Sequence, residues 1–298
     1  MIAALLMPLL VGGSALHQDD DAFRKLVPPG ATLERVATGF QFTEGPTWDG
    51  KGALYFSDIP ADTIYQLDLA GKVTPFLKPS GKSNGLLFDR DGTLLACRHW
   101  ERNVARIPMD GKVTVIANSC EGKRLNSPND LCLASDGSLY FTDPHYGLEG
   151  RPQEQPVEGV YRVTPDGRIA RVIDDMTRPN GIDLSPDRKT LYVADSEDRK
   201  LRAYTLQPDG SVTDGRDFID MRHDGPGVPD GMALDSEGSI YCTNGGIWVI
   251  SPEGRHLGTI AVPEVTANCT FGGPDLRDLY ITASKSVYRI RLNARGLR

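Results

Sequence analysis

Asn129–Asp143 reads NDLCLASDGSLYFTD, and Asp230–Asn244 reads DGMALDSEGSIYCTN. Each is a short apolar strand, a polar turn holding glycine, and a second strand of the form Leu/Ile-Tyr-x-x-Asp/Asn. Four more segments share the pattern: EGPTWDGKGALYFSD from Glu44, NGLLFDRDGTLLACR from Asn84, NGIDLSPDRKTLYVAD from Asn180 and NCTFGGPDLRDLYITA from Asn268. A second alternating hairpin follows each copy, as in GVYRVTPDGRIARVI from Gly159, although the last copy, SVYRIRLNARG from Ser286, stops short. Start-to-start spacings are 40, 45, 51, 50 and 38 residues. Four strands recurring at that period define a β-propeller blade. The sequence therefore predicts an all-β chain, a six-bladed β-propeller with four-stranded antiparallel blades. Thr32–Thr38 (TLERVAT) is left over before the first copy, and the last copy lacks its outermost strand. The N-terminal strand is expected to complete the sixth blade and close the ring, which removes exposed sheet edges.

Composition agrees with many tight turns. The 298 residues include 32 glycines and 21 prolines, against roughly 21 and 15 at average usage. A length of this order suggests two domains on a soft prior, but the repeat makes one ring over residues 31–298. Residues 1–18 begin MIAALLMPLLVGGSA, an apolar core with a small-x-small end. They read as an export signal, too short to span a bilayer, with 19–30 as a linker. Periplasmic or secreted location is the expectation, with cytoplasmic as the alternative. Net charge is −7 with no basic block, which argues against nucleic acid as a partner, and no stretch suits a membrane span. Five scattered cysteines without a CxxC pair exclude a disulfide scaffold or cysteine zinc site, leaving at most a Cys120–Cys132 bridge.

The first position of every copy is Glu44, Asn84, Asn129, Asn180, Asp230 or Asn268, so six of six carry a side-chain oxygen. Innermost strands run side by side around a propeller's channel, and equivalent positions form a ring at one depth. Asn-Gly and Asp-Gly also favour turns. Yet the Asp-Gly pairs at Asp91, Asp136 and Asp166 lie at another phase, and turn chemistry explains neither Glu44 nor the proline before Asn129, Asn180 and Asp230. Two carboxylates, Glu44 and Asp230, converging with the amides Asn129 and Asn180 would repel unless a cation sat between them. All-oxygen ligation suits one hard divalent ion, Ca²⁺ first, with Mg²⁺, Mn²⁺ or Zn²⁺ as alternatives.

FTEGP around Glu44, RLNSPND ending at Asp130, LYFTDPHYG from Leu139, RPNG around Asn180, VPDGM around Asp230 and NCTFGG from Asn268 resemble the senescence marker protein/gluconolactonase family, also called regucalcin-like. The resemblance runs from about Val36 to the end. It implies one divalent metal in the channel, held by Glu44, Asn180 and Asp230. It implies that Asn129 ligates or holds substrate, and that Arg124 contacts substrate oxygens. The expected activity is hydrolysis of a sugar lactone, with the metal polarising the carbonyl and Asp230, or water activated by the metal, supplying the nucleophile. Tyr146 and the loop 145–159 would line the mouth, and the partner is a small-molecule lactone or ester. The alternatives are an organophosphate or aryl esterase on the same metal, and a non-catalytic binding platform with a structural ion.

Smaller signals carry plainer expectations. His99 and His145 follow blade strands and read as rim or hydrogen-bonded residues. Trp48, Trp248 and the repeated Tyr55, Tyr140, Tyr192, Tyr241 and Tyr280 read as packing, and Trp100 fits either core or rim. Asn84 and Asn268 read as strand starts or supporting residues.

Overall fold

The computed structural model describes residues 6–8 and 20–297, and the propeller is there in full. Blade one is Thr43–Trp48, Ala53–Asp58, Thr63–Asp68 and Val73–Leu77. The innermost strands of the next five blades are Ser83–Phe88, Leu131–Leu133, Pro179–Leu184, Met232–Leu234 and Thr266–Gly272. Neighbouring strands within each blade are antiparallel. Thr32–Thr38 pairs with Ser286–Arg291, with Leu33 opposite Ile290, and completes blade six as its sequence suggests. Leu6–Pro8 adds a short fifth strand outside it. The export-signal expectation otherwise lies outside the described residues. No helix among the described residues is long and apolar enough to cross a membrane.

The core is six clusters, one in each gap between blades. Leu54, Phe56 and Leu67 of blade one meet Tyr280 and Val287 of blade six. Tyr241 of blade five meets Phe271 of blade six edge-on at 5.0 Å. Trp48 stacks on Tyr280 at 5.8 Å, and Trp248 is buried against His256 at 3.9 Å. The five repeated tyrosines are all buried, so in five of the six copies the second-strand aromatic fills an inter-blade gap, and Leu95 takes that place in the other.

The aspartate ending the Leu-Tyr-x-x-Asp strand has a separate task. Asp58 accepts the backbone N–H of Gln41 (3.0 Å) and Phe42 (3.1 Å), Asp143 that of Asn126 (2.7 Å), and Asp195 that of Thr177 (2.9 Å). Each carboxylate thus ties down the segment entering its own blade's innermost strand. All five cysteines are free, so the Cys120–Cys132 bridge does not form. Cys120 lies in the gap between blades two and three and Cys132 in the next gap, on opposite faces of blade three. Within the stretch read as a linker, Asp20–Leu26 is a helix. Phe23 and Val27, four apart on one face, pack it against the blade five and six cluster, with Phe23 seated over Gly258.

The glycine after the ring residue sits in or directly before an innermost strand, not in a hairpin turn. A Cβ on Gly181 would lie 2.2 Å from the Asp230 carbonyl oxygen, and one on Gly231 would lie 1.9 Å from Asn268 Cγ. Bare backbone is needed there because adjacent inner strands close to contact at the axis. Gly181→Ala is therefore expected to cost about 1–3 kcal/mol by overpacking, read as a lowered urea midpoint. An unchanged midpoint would show that the inner strands are not in contact.

Candidate active site

Every ring residue stands where its blade's ladder is disrupted. Bulges fall between Glu44 and Thr47, Ser83 and Leu86, Pro179 and Ile182, and Thr266 and Asn268. In blades three and five the ladder starts only at Leu131 and Met232, two residues past Asn129 and Asp230. A bulge frees a residue from pairing and re-aims its side chain. Hydroxyls from the second strands then lash adjacent blades together. Ser57 donates to the Asn84 carbonyl (2.8 Å), Thr142 to that of Asn180 (2.7 Å) and Thr243 to that of Ala267 (3.0 Å).

Glu44, Asn84, Asn129, Asn180 and Asn268 are buried, and Asp230 is partly so. Glu44 Oε2 accepts from the N–H of Gly45 (2.7 Å). Burial pushes its carboxyl up to about 8, with the charge of Asp130 adding to the rise and Gly45 and Asn268 opposing it. Burial also holds Asp230 well above the usual carboxylate range, and the charges of Glu44 and Asp130 push the same way. Asn180 pulls it back, and its Nδ2 also donates to Ser196 Oγ (3.0 Å), which donates to the Pro229 carbonyl (2.6 Å). No cationic side chain figures among the neighbours that set either carboxyl.

Asp130 is a third carboxyl that the ring phase alone does not flag. It takes the place that glycine holds after Glu44, Asn84, Asn180 and Asp230, and that break in the pattern was the available signal. Its oxygens accept from the N–H of Leu131 (2.9 Å) and from Asn268 Nδ2 (3.3 Å), so blade six meets blade three across the axis. Burial raises it to about 7. Beyond the ring, later along the innermost strands, is an axial cavity of about 340 Å³ lined by Asp130, Asp183, Arg188, Met232, Asn268 and Phe271.

The rim is built by the connections on the ring's side. Tyr146, on a short 3₁₀ turn and 41 % exposed, is near Ser196 and Asp230, with Arg178 over its ring at 5.6 Å. The structure thus brings Tyr146 to the ring. His145 pairs with Glu158 and is partly exposed. Arg124 is exposed on the Ser119–Arg124 hairpin and donates to the Glu101 carbonyl (3.1 Å), so it stands on the rim and not in the ring. Trp100 is exposed, and Arg151 covers its ring at 4.2 Å. His99, by contrast, is buried and contacts Asn84 at 3.3 Å.

A closed six-bladed propeller with carboxylates and amides gathered at one mouth of its channel defines a class, the propeller enzymes with an oxygen-rich centre. The profile of the SMP-30/Gluconolactonase/LRE-like region matches residues 42–285. A gluconolactonase of Zymomonas mobilis is 35% identical over 293 residues, covering 89% of this chain and 82% of its own. A pentonolactonase of Haloferax volcanii is 30% identical over 264 residues, covering 85% of each. The structure of a gluconolactonase from Xanthomonas campestris superposes with a TM-score of 0.88 at 30% identity, over 98% of this chain and 99% of that one. The chain belongs to the SMP-30/gluconolactonase family.

Proposed function

We propose that the protein is a divalent-metal-dependent sugar lactonase, hydrolysing the ring ester of a polyhydroxylated lactone at the channel mouth. That it is a hydrolase of the lactonase class follows from its gluconolactonase and pentonolactonase relatives. One observation carries the rest: Glu44 and Asp230, on either side of Asn268 in the ring, are enclosed with carboxamides and feel each other's charge without a basic partner. Two buried anions so placed call for a cation, and an all-oxygen donor set suits a hard one. Glu44, Asn180 and Asp230 would hold it, with Asn129 beside them, and Ca²⁺ is the first choice. Such an ion, when bound, supplies Lewis-acid polarisation of the ester carbonyl.

The side chains divide the remaining work. Asp230 takes a proton from the attacking water as the water oxygen bonds to the carbonyl carbon. The tetrahedral adduct then collapses, the ring C–O bond breaks, and Asp230 returns the proton to the departing alkoxide, giving a hydroxy acid. A cation beside Asp230 would lower its pKa, so its work as a base would rest on its placement next to the attacking water. Asn129 orients the substrate beside Asp230. Tyr146 closes the wall next to Ser196, and Arg124 awaits outlying oxygens at the rim.

A pH-indicator assay on glucono-δ-lactone, a pentonolactone, phenyl acetate and a phosphotriester tests the proposal. Lactone kcat/KM is expected to exceed the ester values by about 100-fold. Faster turnover of phenyl acetate or the phosphotriester, or no lactone turnover, would replace this assignment with the esterase or the binding platform.

A further inference from the structure

Among the ring side chains, one oxygen is both shut from solvent and without a hydrogen-bond partner among the described residues: Asn84 Oδ1. Three other ring residues have partners for their side chains. Asn268 uses both ends of its amide, on Asp130 and on the N–H of Cys269 (2.8 Å). Asn180 is held by Ser196, and Glu44 by Gly45. Asn84 is only 3% exposed. Its backbone is fixed by the Ser57 hydroxyl, and Gly45 lies flush on its carbonyl.

The amide itself is fixed by His99, whose Nε2 is 3.3 Å from Asn84 Nδ2. With the ring proton on Nδ1, Nε2 accepts from the amide, and Oδ1 faces the other way. His99 cannot swing out. A Cβ on Gly147 would lie 2.4 Å from His99 Cβ, so the loop passes directly over it. Arg151 clamps that loop by donating to the carbonyls of Gly147 (2.7 Å) and Trp100 (2.6 Å). Burial above all lowers the His99 imidazole to about 4, so the ring is neutral at neutral pH and keeps one acceptor nitrogen.

We propose that Asn84 is a substrate-orienting residue, whose Oδ1 accepts a hydrogen bond from a hydroxyl of the polyhydroxylated lactone, with His99 as the positioning residue that aims it. This rests on the lactonase reading and deepens it to a substrate class. The ring order puts Asn84 between Glu44 and Asn129, next to one of the carboxylates that suit a cation and across the channel from the other. An enclosed amide oxygen can serve a cation or a donor; with the cation assigned to Glu44, Asn180 and Asp230, a substrate hydroxyl is the partner left for Asn84. A lactone's carbonyl and ring oxygens have no proton to offer, but its hydroxyls do. A site built to bond a hydroxyl discriminates strongly against an analogue lacking it.

The test uses the metal-loaded protein and three probes: glucono-δ-lactone, δ-valerolactone without hydroxyls, and anhydroglucitol with hydroxyls but no carbonyl. Asn84→Ala is expected to raise KM for gluconolactone and the calorimetric Kd for anhydroglucitol about tenfold. It should leave kcat/KM for δ-valerolactone within about twofold. His99→Phe should give part of the same loss, and His99→Gln, which keeps an acceptor, should restore most of it. Matched melting curves establish that the variants fold. Equal losses on both lactones, or anhydroglucitol binding indifferent to Asn84, would overturn the assignment. If the wild type opened neither lactone yet bound anhydroglucitol through Asn84, the lactonase reading would fall and this one would stand.

Discussion

Asp230→Asn is expected to hydrolyse glucono-δ-lactone with kcat lowered about 10³-fold, within the range a positioned general base contributes, and with KM little changed. The substitution is nearly isosteric. The contact that fixes residue 230 in the ring is its backbone carbonyl against Gly181, and the N–H of Gly181 donates to that carbonyl at 3.1 Å. The fold should therefore persist, and unchanged melting in the presence of Ca²⁺ would verify it. An amide can still coordinate a cation but cannot take a proton from water. Activity is therefore measured at Ca²⁺ concentrations shown by calorimetry to saturate the variant. Recovery of wild-type kcat at saturation would reduce Asp230 to a ligand and leave proton removal to another group. Persistent loss at saturation separates the two roles, because weakened ligation is abolished by excess ion and a missing base is not.

The ring was legible in the sequence because propeller symmetry converts a repeat phase into a depth. Glu44, Asn129, Asn180 and Asp230 could be grouped before any coordinates. What periodicity could not supply was the difference between equivalent positions. The glycines after the ring residues resembled turn signals, and only the closeness of adjacent inner strands, 2.2 Å from a Gly181 Cβ to the Asp230 oxygen, shows why they are needed. Asp130 is legible in principle because its copy and that of Cys269 are the two that break the glycine rule, but its reach across the axis to Asn268 joins residues 138 apart. The Asn84–His99 contact depends on a bulge that the pattern does not encode. The Phe23 helix falls before the first repeat, where the repeat gives no guidance, although Phe23 and Val27 carry helical spacing. The role of Arg124 rests on the family resemblance alone, and the hairpin that carries it turns it onto the rim.

Stripping the protein with EDTA should abolish lactone turnover and make its stability fall as pH rises. Without a bound cation, Glu44 and Asp130 have carboxyls raised to about 8 and about 7, burial being the largest cause for each. A raised folded-state pKa means that the folded chain holds these protons more tightly than the unfolded chain. The resulting stabilisation is complete below the ordinary carboxylate range near 4, and it is lost progressively as pH climbs to about 8. Asp230 shifts in the same direction for the same cause, adding to the slope. His99 runs the other way. Its lowered pKa removes stability as pH falls from about 6.5 towards 4, but one imidazole against three carboxyls only shallows the slope, so the stripped protein should gain stability down to about pH 4. Ca²⁺ in hundredfold excess over its Kd adds about 2.7 kcal/mol, roughly 5–10 °C in Tm. Because the ion competes with protons for Glu44 and Asp230, its effect should be small at pH 5 and large at pH 8. Differential scanning fluorimetry across that range, with and without Ca²⁺, reads the crossover directly. A Ca²⁺ shift equal at both pH values, or larger at pH 5, would mean that these carboxylates do not bind the ion, and with them would go the metal centre.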